Sequence, residues 1–258
     1  MPSSAEAAWA TGQTAGALSA TPGEALSRTI WLRHVPAATL DRLAQQAVLH
    51  RVPSGSILFE QSEIPGFAQL LLAGRVDLLA VNGTNEALIE TVHPVDLLLP
   101  AAVLNRQPYL ARACVVEDAQ LVLIHAENFR DAVATDHAMC LAVLACQAAQ
   151  FRRQVKLAKN LKLRSAEERV GCYLLGLFHG QDLRTPVRLV LEKRRIAWQL
   201  GMTRETFSRT LAVMVRYGLH VVGDTVEITD AAAARAHFPF DPLIDGSESV
   251  TPLPLKTV

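Results

Sequence analysis

The stretch from Glu192 to Arg216, EKRRIAWQLGMTRETFSRTLAVMVR, narrows the fold more than any other part of this chain. It holds two short helical patterns separated by a break too tight to be a domain linker. In the first, Ile196, Ala197 and Leu200 fall on one face at helical spacing, behind the cations Lys193, Arg194 and Arg195. Gly201 then stops that helix, because glycine enters the left-handed region without a Cβ penalty. Thr203 is a good N-cap for the second helix. There Thr206, Phe207, Thr210, Leu211 and Met214 recur at spacings of three and four, which turns Arg204, Glu205, Ser208 and Arg209 away from the core.

Two helices so joined have the form of a helix-turn-helix, whose second helix enters the major groove N-terminus first and reads bases from its first two turns. Arginine offers two donors to the O6 and N7 of guanine, and a carboxylate accepts from the cytosine amino group. The DNA-reading set expected here is Thr203, Arg204, Glu205, Thr206, Ser208 and Arg209. An ordinary amphipathic helix with a solvated face would show the same periodicity. Three features set this one apart: the capped turn, a hairpin pattern over Val221, Val222, Gly223, Asp224 and Val226 to Ile228, and local charge. Lys162 to Arg216 holds eleven Lys or Arg against five Asp or Glu, whereas the whole chain balances 25 against 25. A basic module in a neutral protein is the footprint of phosphate contacts.

The stretch RRIAWQLGMTRETFSRTLAVMVRYGL resembles the winged helix-turn-helix of the CRP/FNR superfamily of bacterial transcription regulators. The recognition helix of that family carries Arg-Glu-Thr-x-x-Arg or Glu-Thr-x-Ser-Arg. Arg204, Glu205, Thr206, Ser208 and Arg209 satisfy both forms. The resemblance implies a homodimer on a double-stranded DNA palindrome of the TTGA or TGTGA type, with RNA polymerase as a partner if the protein activates. Glu205, Ser208 and Arg209 resemble the set that reads TTGA, and Arg204 resembles the residue that reads the extra guanine of TGTGA.

Upstream, from Arg28 to about Asp131, short apolar runs alternate with turn residues. Leu58-Phe59, Leu70 to Leu72, Val76 to Val81, Ala87 to Val92, Ala113 to Val116 and Leu121 to Ile124 are the strand candidates. Pro53-Ser54-Gly55, Pro65-Gly66, Ala73-Gly74 and Asn82-Gly83 read as turns, the last as a hairpin. Such a pattern predicts an antiparallel roll. The order Ile30-Trp31-Leu32, Pro53 to Phe59 and Leu72 to Val76, with a helical lead-in around Ala38 to Ala47, resembles the start of the family's cyclic-nucleotide-binding-like roll.

The effector cassette of that roll departs from the family pattern. Members that bind cyclic AMP carry Gly-Glu-x-Ala followed by Arg-Ser/Thr-Ala, with the carboxylate on the ribose and the arginine on the phosphate. Here the stretch reads Leu97-Leu98-Leu99-Pro100-Ala101-Ala102-Val103-Leu104, and Arg112 lies several residues from where the phosphate arginine would fall. A buried phosphate without its usual partner is a costly loss, so cyclic AMP is not the expected effector. An apolar pocket over Leu97, Leu98, Leu99, Tyr109 and Arg112 is the candidate site instead. It would suit a hydrophobic ligand or a haem, with His93 and His125 as iron ligands by residue type, although lone histidines near strands are more often structural or solvated. A haem-based sensor of nitric oxide or carbon monoxide is therefore the alternative, and a regulator with no effector a third reading.

Between the two halves, Asp131 to about Leu163 reads as one helix without Gly or Pro. Leu141, Leu144, Ala148, Phe151, Val155 and Ala158 form a heptad seam suited to a parallel dimer, which would set two readers one turn of DNA apart. Asn160 to Arg164 is the expected hinge, and Ser165-Ala-Glu-Glu168 a capping box opening the next helix, with Val170, Tyr173, Leu174 and Leu177 inward.

The expected organisation is thus an α+β chain: a loose arm over residues 1–27, an antiparallel, cupin-like double-stranded β-roll over 28–131, a dimerisation helix and hinge over 132–163, a winged helix-turn-helix domain over 164–235 and a loose tail over 236–258. The arm has neither a basic start nor an apolar core, so it is not read as a secretory signal. The longest uncharged apolar run, Ala138 to Phe151, is shorter than the roughly 18 residues of a membrane span, and a cytoplasmic protein without a membrane partner is expected. Cys114, Cys140, Cys146 and Cys172 form no close pair, so no metal site is expected, and the N-terminal cysteines of the family's iron-sulfur branch are missing. No Ser-His-Asp arrangement, P-loop, GxGxxG or HExxH is present, and an enzyme is not expected.

Overall fold

The computed structural model describes residues 21–179, 186–189 and 191–246, which fall into two compact units dividing between Arg152 and Arg153. The first unit opens on α1 (Pro22–Arg28), where Thr21 Oγ1 accepts from the backbone of Glu24 and Pro22 fits the first turn. Most of the arm expected over residues 1–27 lies outside the described residues, but its last residues are ordered, because Ala25 and Leu26 of α1 are buried. After α2 (Ala37–Gln45) come β1 (Ala47–Val52), β2 (Ile57–Phe59), β3 (Phe67–Asn82), β4 (Asn85–Val92), β5 (Asp96–Leu97), α3 (Pro100–Asn105), β6 (Arg112–His125) and α4 (Ala126–Thr135).

Six antiparallel strands form one open sheet in the order β1-β6-β3-β4, with β2 on β6 and β5 on β3. Asn82 pairs with Asn85 across a two-residue turn that places Gly83 at φ +61°, so the Asn-Gly hairpin stands where the sequence predicts it. Ala73-Gly74 is different. It is a bulge inside β3, where the pairing steps from Leu71–Leu121 to Ala73–Gln120 to Arg75–Glu117. Gly74 sits at φ +83°, and a Cβ there would fall 2.4 Å from the carbonyl oxygen of Asp118. Local composition cannot separate this bulge from a turn, so the runs Leu70 to Leu72 and Val76 to Val81 read as two strands. β1 carries no apolar alternation in its sequence, since the neighbours His50 and Arg51 are both polar and both exposed on a sheet edge, and sequence reasoning missed it.

Two cores fill this unit. One lies among α1, α2, α4 and the roll, and includes Leu26, Trp31, Leu43, Leu70, Leu97, Phe129, Met139 and Cys146; the other lies within the roll and includes Phe59, Leu71, Leu78, Leu98, Tyr109 and Leu121. Adjacent residues alternate between them, Leu70 and Leu71 on β3 and Leu97 and Leu98 at β5, because successive strand side chains point to opposite faces.

The helix expected from Asp131 to Leu163 is broken at Asp136. There α4 ends and α5 (His137–Leu163) begins at a bend of 112°. Asp136 makes the break: Oδ1 accepts from the backbone of Met139 at 3.1 Å, and Oδ2 accepts from the hydroxyl of Thr39 at 2.5 Å. No single helix among the described residues is long and apolar enough to cross a membrane.

The second unit holds α6 (Ala166–His179), β7 (Val187–Arg188), α7 (Lys193–Gln199), α8 (Arg204–Met214), β8 (Leu219–Val222), β9 (Thr225–Ile228) and α9 (Ala231–His237). Ser165 and Glu168 cap α6 reciprocally, at 2.7 and 3.2 Å, as the capping box predicts. Asn160 to Leu163, expected in the hinge, are still helical, and only Arg164 and Ser165 separate α5 from α6. The tail expected loose from residue 236 stays ordered to Gly246: Phe238 is buried, and Asp241 to Gly246 form a turn.

Candidate nucleic-acid interface

The winged unit is built around Phe178 of α6, Ile196 and Ala197 of α7, and Phe207, Leu211 and Met214 of α8, all in one core. Gly201 takes φ +61°, its N–H bonds to Trp198, and Met202 bonds back to Ala197, which ends α7 within a single turn. Thr203 Oγ1 accepts from the backbone of Thr206 at 3.2 Å and starts α8. Thr206 is half-buried, and its carbonyl accepts from the Thr210 hydroxyl at 2.9 Å.

With Phe207, Thr210, Leu211 and Met214 inward, Arg204, Glu205, Ser208 and Arg209 are exposed at the start of α8, beside the exposed cap Thr203. The structure brings the whole predicted set together on one helix end. Its own backbone N–H and the Thr203 hydroxyl, with Arg204 and Arg209 nearby, hold the Glu205 carboxyl below its ordinary value. It is therefore an ionised acceptor at neutral pH, as pairing with a cytosine amino group requires. Arg209 Nη2 is 3.5 Å from Thr206 Oγ1, too long to hold the guanidinium back from a base edge.

β8 and β9 form the predicted hairpin around Gly223 and Asp224, with Val222 paired to Thr225. Sequence reasoning missed its third strand, β7, because a two-residue strand carries no periodicity; Val187 pairs with Val226, and Arg188 lies 3.6 Å from Asp224 at the wing tip. It also missed Arg169 of α6, which donates to the carbonyls of Leu200 at 2.8 Å and Gly201 at 3.4 Å. Arg194 stacks over Trp198 with its guanidinium 5.0 Å from the ring centre.

Of the candidate effector residues, Leu98, Leu99 and Tyr109 share one core, whereas Leu97 and Arg112 lie apart from it. Leu97 and Leu98 fill the two separate cores, and Leu99, at φ +42°, caps α3. Tyr109 is buried and stacks on Phe59 at 3.7 Å, and burial pushes its hydroxyl up to about 12. Arg112 pairs with Glu60 at 2.8 Å and with Glu86. Alternation at the end of β5 sends Leu97 and Leu98 to opposite faces, so the leucine run as a whole does not line one pocket. The polar group that does sit there is Asp96. This buried carboxylate accepts from the Leu97 backbone at 2.8 Å, from Gln150 Nε2 at 2.9 Å and from Cys146 Sγ at 3.1 Å. His93 and His125 are both exposed; His125 lies opposite Phe67 and packs on its ring, whereas Val92, just before His93, pairs nine residues further along β3. Neither sits in an apolar pocket that would fit a haem. Among the described residues, no group of three or more His, Cys, Asp or Glu is arranged to hold a metal ion.

On α5, Met139, Ala142, Val143, Ala145, Cys146 and Ala149 are buried. The expected seam lies on other faces: Leu144 is 55 % exposed, Phe151 70 % and Val155 42 %, Ala148 and Ala158 are exposed, and Leu141 is half-buried.

A capped, basic helix-turn-helix with its wing, carried on a chain that also folds an antiparallel roll, defines a DNA-binding regulator. Residues 49–136 match the family model of the cyclic nucleotide-binding domain, and residues 168–235 that of the Crp-like helix-turn-helix domain. The chain belongs to the CRP/FNR superfamily of transcription regulators. It is similar to a candidate cyclic-nucleotide-binding protein of Ruegeria pomeroyi, at 25% identity and a TM-score of 0.50 over 85% of this chain and 98% of that one. The same fold recurs in a candidate CRP/FNR-family regulator of Eubacterium rectale, at 16% identity and a TM-score of 0.63 over 80% and 96% of the two chains. It recurs also in FixK2 of Bradyrhizobium japonicum, at 18% identity and a TM-score of 0.59 over 76% and 98%. No curated protein matches the chain significantly.

Proposed function

We propose that the protein is a homodimeric, sequence-specific regulator of transcription that acts in the cytoplasm, in which α8 reads a two-fold symmetric site of the TTGA or TGTGA type. The observation that carries this reading is the exposed group Arg204, Glu205, Ser208 and Arg209 on the first turns of a capped helix. The dimer follows from the exposed apolar seam of α5: Leu144, Phe151 and Val155 in water are unfavourable, and a second α5 would cover them. RNA polymerase is the further partner if the protein activates.

The effector is not cyclic AMP, and the roll answers to another ligand or to none. Its phosphate would have to displace Glu60 and Glu86 from Arg112, and Asp96 already spends its hydrogen bonds inside the protein.

Selection of bound sequences from randomised duplex DNA by the purified protein tests the reading. Enrichment of a TTGA- or TGTGA-type palindrome is expected. Enrichment of nothing, both for the pure protein and in cell extract, would overturn it. Cyclic AMP at saturating concentration is expected to leave the melting temperature unchanged; a rise would overturn the effector reading.

A further inference from the structure

The segment after α9 lies beyond the part of the chain that matches the winged-domain family. Phe238 is buried over Gly171 of α6, so closely that a Cβ on Gly171 would fall 2.4 Å from its ring. The chain then turns at Asp241 to Gly246 and meets the last turns of α5. Asp245 takes both ends of the Arg164 guanidinium, at 2.6 and 2.7 Å, and both side chains are at least four-fifths buried. Asp245 Oδ2 also accepts from the backbone of Asp241 at 2.9 Å, which holds the carboxylate in place. Lys156 donates to the carbonyl of Gly246 at 2.7 Å, and Lys159 to that of Leu243 at 3.3 Å. The turn of the helix-turn-helix holds the same end of α5: a Cβ on Gly201 would fall 2.5 Å from Cδ2 of Leu161.

We propose that Asp245 is a positioning residue of the DNA reader, and that the turn Asp241 to Gly246 clamps the last turns of α5 to the winged domain. The two residues between α5 and α6 are then no free hinge. A bidentate, largely buried arginine–carboxylate pair resists the torsion that a hinge there would need. Lys156 to Leu163 move with α8 as one body, so any rotation of the long helix reaches the recognition helix undiminished. Resting on the dimeric reading, the clamp holds the two recognition helices at one separation, and thereby sets the half-site spacing that the protein accepts.

The test uses the full chain and a set of palindromes whose half-sites are spaced one or two base pairs more or less than the preferred site. The unaltered protein is expected to discriminate against a one-base-pair change by about tenfold. In Asp245→Ala this falls to about threefold or less, while affinity for a single half-site and sequence preference within it stay unchanged. A double variant with Arg164→Ala should relax spacing no further, because the two residues act as one unit. An unchanged spacing profile in a folded Asp245→Ala protein overturns the proposal. Should that variant unfold, Lys156→Met, which removes the contact to Gly246, is held to the same two outcomes. If the unaltered protein prefers no two-fold site at all, the dimeric reading fails. Amide hydrogen exchange then decides the clamp alone: faster exchange over Lys156 to Leu163 in Asp245→Ala supports it, and unchanged exchange overturns it.

Discussion

Arg169 of α6 donates from Nη1 to the carbonyl oxygen of Leu200 at 2.8 Å and so closes the end of α7. The last carbonyls of a helix have no partner within it, and here a cation supplies one. Replacing Arg169 by Met leaves those carbonyls without it, and should cost the winged domain about 1–2 kcal/mol. Urea unfolding followed by a probe in that domain measures the loss; a change of only a few tenths would show that water substitutes for the arginine.

Gly201 and Gly223 share φ +61°, but differ in what a methyl group would meet. At Gly223 there is open space, so Gly223→Ala should cost only backbone strain, about 1 kcal/mol. At Gly201 the methyl would press on Leu161, and Gly201→Ala should cost about 2–3 kcal/mol. Adding Leu161→Ala to Gly201→Ala should recover part of the excess. Equal costs at the two glycines would rule out the packing argument.

Phe151 is 70 % exposed, so Phe151→Glu should change the stability of the isolated fold by no more than about 0.5 kcal/mol. In a two-helix seam it places like charges face to face. Sedimentation should show a monomer, with palindrome binding reduced to that of a single half-site. A dimer of unchanged strength would move the interface elsewhere.

Arg209 lies exposed at the start of α8, and its guanidinium is 3.5 Å from Thr206 Oγ1, too far to be held there. Arg209→Ala should lower specific binding by about 1–3 kcal/mol and relax discrimination at one base pair. Equal loss on specific and random DNA would assign Arg209 to phosphate contact instead.

Acid should weaken both units through their caps. Glu168 is held below its ordinary value by the backbone and hydroxyl of Ser165. For Asp136, burial pushes upward, but hydrogen bonds from Thr39, Met139 and Ala138 outweigh it and the net shift is down. A carboxyl lower in the folded than in the unfolded chain contributes stability that is complete above the unfolded value and is lost as pH falls through the folded one. Stability should thus decline below about pH 4. Glu168→Gln keeps an acceptor but does not titrate, so its stability should fall less steeply over that range; parallel curves for the two proteins would refute the assignment.

The features legible in the sequence are those whose chemistry closes within a few residues. Ser165 reaches Glu168, Thr203 reaches Thr206, and Asn82-Gly83 turns back on itself, each a bond or fold of three or four positions. Ala73-Gly74 looks equally local but is not, since the strand opposite decides whether a glycine makes a turn or a bulge. Asp136 shows the same limit. Its cap on Met139 is local, but an Asp within an otherwise helical pattern does not by itself mark a break, and the bond that orients its second oxygen comes from Thr39, across the fold.

By itself, the sequence determined the reader: helical periodicity, one glycine and one threonine cap are enough to face Arg204, Glu205, Ser208 and Arg209 outward, because those choices are settled within two helical turns. It also determined that the roll is antiparallel, through its alternation and hairpin. Only the tertiary structure decided that Leu97 and Leu98 belong to two different cores, that Arg112 is spent on Glu60 and Glu86, and that Asp245 closes on Arg164. These pairings join residues far apart in the chain. Burial and charge choose such partners only after the backbone has brought them together.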